Sequence, residues 1–238
     1  MKLSIIIPAY NEEKYIWMCL ECILKCGNNL IHEIIVVDNG STDRTAEVVR
    51  KFEGVKLVNE SKKSPTHARQ KGYKEATGDL LAFIDADNHT NSSRAHKVHK
   101  AFASDPDLVF LSGPYVYYGN GSWRANPISR LCIRLFSYPG YLMTGCLGTG
   151  GNMIMKKTLL DTIGWFDTSI AFYGDDTNIA RRAKDVGHSH FMLSLTMPTS
   201  TRRYKGQWWL KTFYLYTINF LSEAVFHKTH TNTYKDFR

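Results

Sequence analysis

Asp85-Ala86-Asp87 places two carboxylates two residues apart, directly after the apolar run Leu80–Ile84. Oxygens so spaced can hold one hard divalent cation, or one cation and a ribose hydroxyl. Mg2+ and Mn2+ favour such ligands and leave positions open for substrate phosphates. Two acids in a solvated loop are the competing reading, and the buried run just before them favours a site. Two further polar clusters also follow apolar runs: Pro8-Ala9-Tyr10-Asn11-Glu12 and Asp38-Asn39-Gly40-Ser41-Thr42-Asp43. A zinc centre fits poorly. Cys19, Cys22 and Cys26 have ligand-like gaps, but no second Cys/His pair completes a tetrahedral site. Helical spacing instead puts Cys19 and Cys26 on an apolar face with Ile16 and Ile23.

Alternating elements must position these clusters. Leu3–Ile7 predicts a first strand, followed by a helix from about Glu12 to Cys26. Glu33–Val37 predicts a second strand, and Ser41 or Thr42 caps a helix running to about Phe52. Val55–Asn59, a helix at about Thr66–Thr77 and the strand Leu80–Ile84 complete the pattern. Uninterrupted apolar strands in this order predict a mostly parallel sheet covered by helices on both faces. Ligands of such sheets bind beyond the carboxyl ends of the strands, where all three polar clusters fall. The second half is less regular. Leu108–Tyr118 predicts one long strand, and Ile128–Tyr141 an apolar stretch punctuated by Arg130 and Arg134. A glycine-rich segment then runs from Gly145 to Gly151, a helix starts near Gly174, and the tail from Gly206 predicts a strongly aromatic helix.

The chain has 238 residues, 43% hydrophobic and 22% charged, which suits one α/β domain with a helical appendage and excludes a disordered chain. Its net charge of +8 points to an anionic partner. Five cysteines, an odd number, argue against a disulfide framework and for a reducing compartment. The start of the chain does not resemble a signal peptide, and no stretch reaches about 18 apolar residues without a charge. A cytoplasmic protein is expected.

In order along the chain, these motifs resemble family 2 glycosyltransferases of the GT-A fold. The resemblance is carried by Ser4–Glu12, Val36–Asp43, Ala68–Gly72 with Ala76–Asp79, and Phe83–Asp87. It continues through Gly150-Gly151-Asn152, Gly164–Asp167 and Gly174–Arg182, covering about residues 3–205. It implies a GT-A (Rossmann-like) domain at 1–205, with a nucleotide-binding half at 1–105, an acceptor-binding half at 106–205, and an amphipathic helical tail at 206–238. The implied activity is inverting, metal-dependent transfer from a UDP- or GDP-sugar to a hydroxyl acceptor. Pro8, Tyr10 and Glu12 would surround base and ribose. Asp38 would meet the base edge, where a strand-end carboxylate can accept the imide N–H of uracil. Arg69 would lie near the nucleotide. Asp87 would be the main ligand of Mg2+ or Mn2+, with Asp85 on ribose or on a metal-bound water. Asp176 would be the base that takes the acceptor proton, with Asp175 binding acceptor or orienting its neighbour. The family carries Glu-Asp there, so Asp175 is one methylene shorter than the usual residue. Gly150, Gly151 and Asn152 would bring backbone to the sugar or acceptor, and Arg202 and Arg203 would meet the diphosphate.

Residues 208–226 hold seven aromatics, including Trp208 and Trp209, between basic flanks. Such a helix suits the headgroup region of an anionic membrane, and with it a lipid-linked acceptor. Packing on the protein's own core or on a second copy in a homodimer is the alternative. Two other functions compete. A sugar-phosphate nucleotidyltransferase would want a Gly-rich, basic loop after the first strand, where this chain has Pro8–Glu12. A non-enzymatic membrane or nucleic-acid binding module would exploit the positive charge. No nucleic-acid motif is present, however, and acids at the rim would repel a phosphate backbone.

Overall fold

Strand β1 (Leu3–Ala9) is apolar on both faces, and only a strand covered on both sides satisfies that pattern. Leu3, Ile5, Ile7 and Ala9 enter one hydrophobic layer and Ile6 the other. The computed structural model describes residues 1–91, 93–118, 138–170, 174–202, 217–220 and 222–223. The further strands are β2 (Glu33–Asp38), β3 (Val55–Asn59), β4 (Leu80–Phe83), β5 (Leu108–Ser112), β6 (Tyr115–Tyr118), β7 (Met153–Lys156), β8 (His188–Phe191) and β9 (Met197–Ser200). Seven of them form one sheet in the order β3-β2-β1-β4-β7-β5-β8. All neighbours are parallel except β7, which runs antiparallel to both β4 and β5. Helices α1 (Ile16–Gly27) and α4 (Ser93–Ser104) cover one face. Helix α3 (Pro65–Glu75) covers the other with α6 (Lys157–Ile163) and α7 (Asp175–Lys184). The short helices α2 (Thr45–Val49) and α5 (Tyr138–Thr144) complete the set described here.

Two expectations need correction. Leu108–Tyr118 is not one strand. It breaks at Gly113-Pro114, so that β5 joins the main sheet while β6 pairs with β9 in a second, two-stranded one. Gly113 lies so close to Leu195 that a Cβ there would stand 2.2 Å from its carbonyl oxygen. The helix after β2 is also shorter than expected and is not capped by Ser41 or Thr42. Those residues are engaged with the β1 loop: Asn11 N–H donates to Ser41 Oγ at 3.0 Å, and Thr42 N–H donates to Asn11 Oδ1 at 2.8 Å. Asp43 makes the turn instead, its Oδ1 accepting from Thr45 N–H at 3.0 Å.

On α1, Ile16, Cys19 and Ile23 are buried and Cys26 is half-buried, as the helical spacing predicts. Cys19, Cys22, Cys26 and Cys146 are free thiols, and burial pushes Cys19 well above the usual thiol range. Within the tail, residues 217–220 and 222–223 are helical. Glu223 is 1% exposed and accepts hydrogen bonds from Asn178 Nδ2 at 2.9 Å and Arg181 Nε at 3.3 Å, both on α7. This part of the tail therefore packs on the protein itself. Trp208, Trp209 and the stretch 128–137 lie outside the described residues. Among the described residues no helix is long and apolar enough to cross a membrane.

Arg94, in the first turn of α4, is 6% exposed and lines a cavity of about 20 Å³ beside Leu3, Ile5 and Val98. Among the described residues neither terminal guanidinium nitrogen has a hydrogen-bond partner. Burial pushes the group down to about 10, so it is still a cation at neutral pH. A buried charge left uncompensated is destabilising. Arg94→Met is therefore expected to raise stability, by up to about 4 kcal/mol on the scale seen when buried ion pairs are replaced by apolar residues of similar volume. A urea midpoint that stays level or falls would show that the guanidinium is compensated.

Candidate functional site

The parallel register brings the carboxyl ends of β1, β2 and β4 to one rim, with Ala9 opposite Asp38 and Ile6 opposite Phe83. Beyond β1 the chain turns sharply at Asn11, whose φ of 53° is left-handed. Glu12 is thereby buried, and its N–H donates to Thr45 Oγ1 at 2.7 Å. Asp38 accepts from Ser41 N–H at 3.0 Å and is also buried. Asn39 pins the next loop, donating to the carbonyls of Glu60 and Lys62 and accepting from Ser64 N–H. From that loop Lys63 reaches Tyr10, its Nζ 3.3 Å from the phenol oxygen and 4.8 Å from the ring centre. Pro8 sits in β1 opposite Val37.

Asp85 lies at the centre of a hydrogen-bonded circuit. Its Oδ1 accepts from Arg69 Nη2 at 3.3 Å and its Oδ2 from Tyr115 Oη at 2.9 Å. Arg69, buried on α3, also donates through Nη1 to Asp175. Tyr115 Oη in turn accepts from Gly151 N–H at 2.5 Å, and Gly150 N–H donates to Asp176 Oδ2 at 3.1 Å. Asp175 and Asp176 are the first two residues of α7, behind Gly174 at a φ of 95° that favours glycine. The two acids thus close a loop that runs back to Asp85 through Arg69 on one side and through the glycine turn and Tyr115 on the other.

The electrostatics of the pair are unequal. Burial raises Asp175, and the guanidinium of Arg69 beside it pulls the other way. Asp176 is pushed up to about 7, first by burial and then by the charge of Asp175. Arg69 thus sits on Asp175 and not on Asp176, whose carboxyl stands at about 7. Such a carboxyl can exchange a proton near neutrality.

A second cluster joins Glu12 and Arg202 to Asp87. Arg202 donates to Glu12 through both terminal nitrogens, at 2.5 and 2.6 Å, and its Nε stands 3.1 Å from Asp87 Oδ2. Its guanidinium also lies over the Tyr15 ring at 4.6 Å. These carboxylates hold Arg202 well above the usual arginine range, against the opposing effect of burial. Tyr118 donates to the Asp87 carbonyl and meets His89 Nε2, each at 2.9 Å.

The structure therefore brings Glu12, Arg69, Asp85, Asp87, Asp175, Asp176, Gly150, Gly151 and Arg202 together. Asn152 is adjacent but turned inward: fully buried, it spends its amide on the carbonyls of Gly113 and Leu195, both at 2.8 Å. Arg203 lies outside the described residues. Tyr115 and Tyr118 are participants that sequence reasoning missed. The signal available was the polar-aromatic run Tyr115-Val116-Tyr117-Tyr118, whose alternation marks a strand without saying which hydroxyl reaches the rim. The donor set of Asp85 and Asp87, two carboxylates with no soft ligand, fits a hard cation completed by water and phosphate oxygens. Among the described residues no cluster of three or more His, Cys, Asp or Glu could hold an ion by itself.

Known proteins resemble this chain throughout. The family model described as Glycosyl transferase family 2 matches residues 4–164. Glycosyltransferase AglE of Haloferax volcanii is 27% identical over 198 residues, 78% of this chain and 62% of that protein. The dolichol-phosphate mannosyltransferase of Pyrococcus furiosus is 38% identical over 116 residues, 47% of this chain and 33% of that one. The chain spans less than two thirds of the length of either relative. The mannosyltransferase PcManGT of Pyrobaculum calidifontis, solved in complex with GDP-Man and Mn2+, superposes with a TM-score of 0.72 at 20% identity. That match covers 94% of this chain and 62% of that one.

Proposed function

The chain belongs to glycosyl transferase family 2, and from that premise we propose that it transfers a sugar from a UDP- or GDP-sugar to a hydroxyl acceptor with inversion at the anomeric carbon. The observation that carries the proposal is the circuit joining Asp85, the strand-end acid, to Asp176, the acid poised near neutrality. Pro8, Tyr10, Asp38 and the Lys63 beside Tyr10 offer the ribose and base a wall. Arg202, already held by Glu12, presents a guanidinium to the diphosphate. Asp87 and Asp85 would hold Mg2+ or Mn2+, which when bound offsets the charge of the departing diphosphate. The acceptor hydroxyl gives its proton to Asp176 as its oxygen bonds to the anomeric carbon. The bond from that carbon to the phosphate oxygen breaks, and the nucleoside diphosphate leaves with the electron pair. Asp175 and Arg69 keep the charge beside Asp176 balanced. Residues 1–105, with Arg202, then hold the donor, and the rest of 106–205 shapes the acceptor side. A panel of nucleotide sugars with Mn2+ or Mg2+ tests this reading: release of nucleoside diphosphate supports it, and release of pyrophosphate would identify nucleotidyl transfer instead.

The acceptor we assign to lipid-linked or membrane-associated hydroxyls, with the protein held peripherally at the inner face of the membrane. Helix α5 supports this, because Leu142 and Met143 are 65% and 86% exposed, a few residues before the glycine segment of the site. The net charge of +8 adds attraction to anionic lipid. Flotation with anionic vesicles is expected to carry the protein upward at low salt, and less so after Leu142→Ser with Met143→Ser. Protein that stays at the bottom of the gradient under all conditions would remove the membrane assignment.

A further inference from the structure

We infer that Tyr115 is a positioning residue of this site, its hydroxyl fixing the Asp85 carboxylate against the Gly150-Gly151 turn that holds Asp176. The inference rests on the donor-site reading above and adds to it a residue outside the motifs of the rim.

The direction of each hydrogen bond follows from proton counting. A backbone N–H can only donate, so at 2.5 Å from Gly151 N the tyrosine oxygen is the acceptor. Its single proton is then committed to Asp85 Oδ2, 2.9 Å away. Asp85 Oδ1 is committed to Arg69 at 3.3 Å, so each carboxylate oxygen has its own donor and the plane of the group is fixed. The turn is pressed against the same carboxylate: a Cβ on Gly151 would lie 2.5 Å from Asp85 Cγ. Gly148 is equally confined, since a Cβ there would lie 2.3 Å from the Asp176 carbonyl oxygen. The turn thus packs close enough to the Asp85 carboxylate to leave no room for a methyl group between them, and it carries the Gly150 N–H that donates to Asp176. Tyr115 joins the Asp85 carboxylate to this turn through one hydroxyl, while Asn88 ties the backbones together, its Nδ2 donating to the Gly151 carbonyl at 2.8 Å and its N–H to the Asp85 carbonyl at 3.0 Å. Partners of this kind hold a metal-binding carboxylate in one orientation and raise its affinity without touching the ion.

The test is calorimetric titration of UDP and of GDP, each with and without Mn2+, into the parent chain, Tyr115→Phe and Tyr117→Phe. Tyr115→Phe keeps the ring and removes the shared hydroxyl. It is expected to weaken the Mn2+-dependent affinity about 10–100-fold, as loss of such partners does elsewhere, and to leave metal-free affinity alone. Tyr117→Phe, on the same strand, controls for a general disturbance and should match the parent. Asp85→Asn with Tyr115→Phe should lose no more than Asp85→Asn alone, because the hydroxyl acts through that carboxylate. Should Tyr115→Phe fold poorly, Tyr115→Leu, which also lacks the hydroxyl, is expected to give the same metal-specific loss. Parent-like Mn2+-dependent affinity in Tyr115→Phe, or losses that simply multiply in the double variant, would overturn the inference. A parent chain that binds neither nucleotide overturns the donor reading and this inference with it, an outcome distinct from failure of Tyr115 alone.

Discussion

An Asp176→Asn enzyme is expected to bind nucleoside diphosphate like the parent and to turn over about 10²–10⁴-fold more slowly, the usual loss of a general base. The amide keeps the size of the side chain and its one oxygen can still accept from Gly150 N–H or from Thr177 N–H, the two donors to the carboxylate, but it cannot take the acceptor proton. The parent's own pH profile carries the same signature. With Asp176 raised to about 7, the base form is scarce below that pH, so kcat/KM should climb as pH rises and level off above about 7. A linked effect appears in stability. The folded chain holds a proton on Asp176 that the unfolded chain releases near its usual 3.8, so stability is lost as pH rises from there to about 7. Asp176→Asn removes that loss, so its melting temperature should change less with pH than the parent's between about 4 and 7. Near-parent turnover with a flat melting profile would move the base elsewhere, with Asp175 the next candidate.

Asp87→Ala should abolish the part of donor affinity that depends on Mg2+ or Mn2+, a loss at least as large as the about 10–100-fold typical of outer-shell partners. The fold should survive, because Arg202 retains both of its bonds to Glu12 when Asp87 is gone. The variant is therefore expected to bind UDP or GDP with one affinity whether Mn2+ or a chelator is present. Titration of parent and variant under both conditions measures this, and a metal response that survives in Asp87→Ala would take the ligand role from that residue.

The strand ends were legible from sequence because apolar runs and polar clusters are local signals. Val55–Asn59 has the observed bounds, and Asp38 and Asp85 fall where their strands stop. The break in Leu108–Tyr118 was also written in the sequence, as Gly113-Pro114, but a long run of apolar and aromatic residues outweighed it. What no local pattern could carry were contacts between distant segments. Nothing in the neighbourhood of Tyr115 says that it bridges Asp85 and Gly151, and Arg202 gives no hint that its partner is Glu12. The antiparallel entry of β7 between two parallel neighbours is equally silent, since a buried strand reads the same in either direction. The aromatic tail shows the same limit from the other side. Composition favoured a lipid surface, whereas the described turn of it is held by Glu223 on α7 through a pairing that composition does not encode.

The bond between Glu12 and Arg202 spans 190 residues of chain, and that distance is also a delay. At about 5–20 residues per second on the ribosome, Glu12 is made some tens of seconds before its cation. Throughout that interval β1 to β4 can assemble from short-range pairings, while the acid destined for burial beside them is obliged to stay hydrated. The pairing that buries Glu12 is therefore completed late in synthesis, after all nine described strands have been made. On the donor-site reading proposed above, a nascent chain stalled ahead of position 202 would lack the cation that pairs with Glu12, and nucleotide binding would follow only once Arg202 is made.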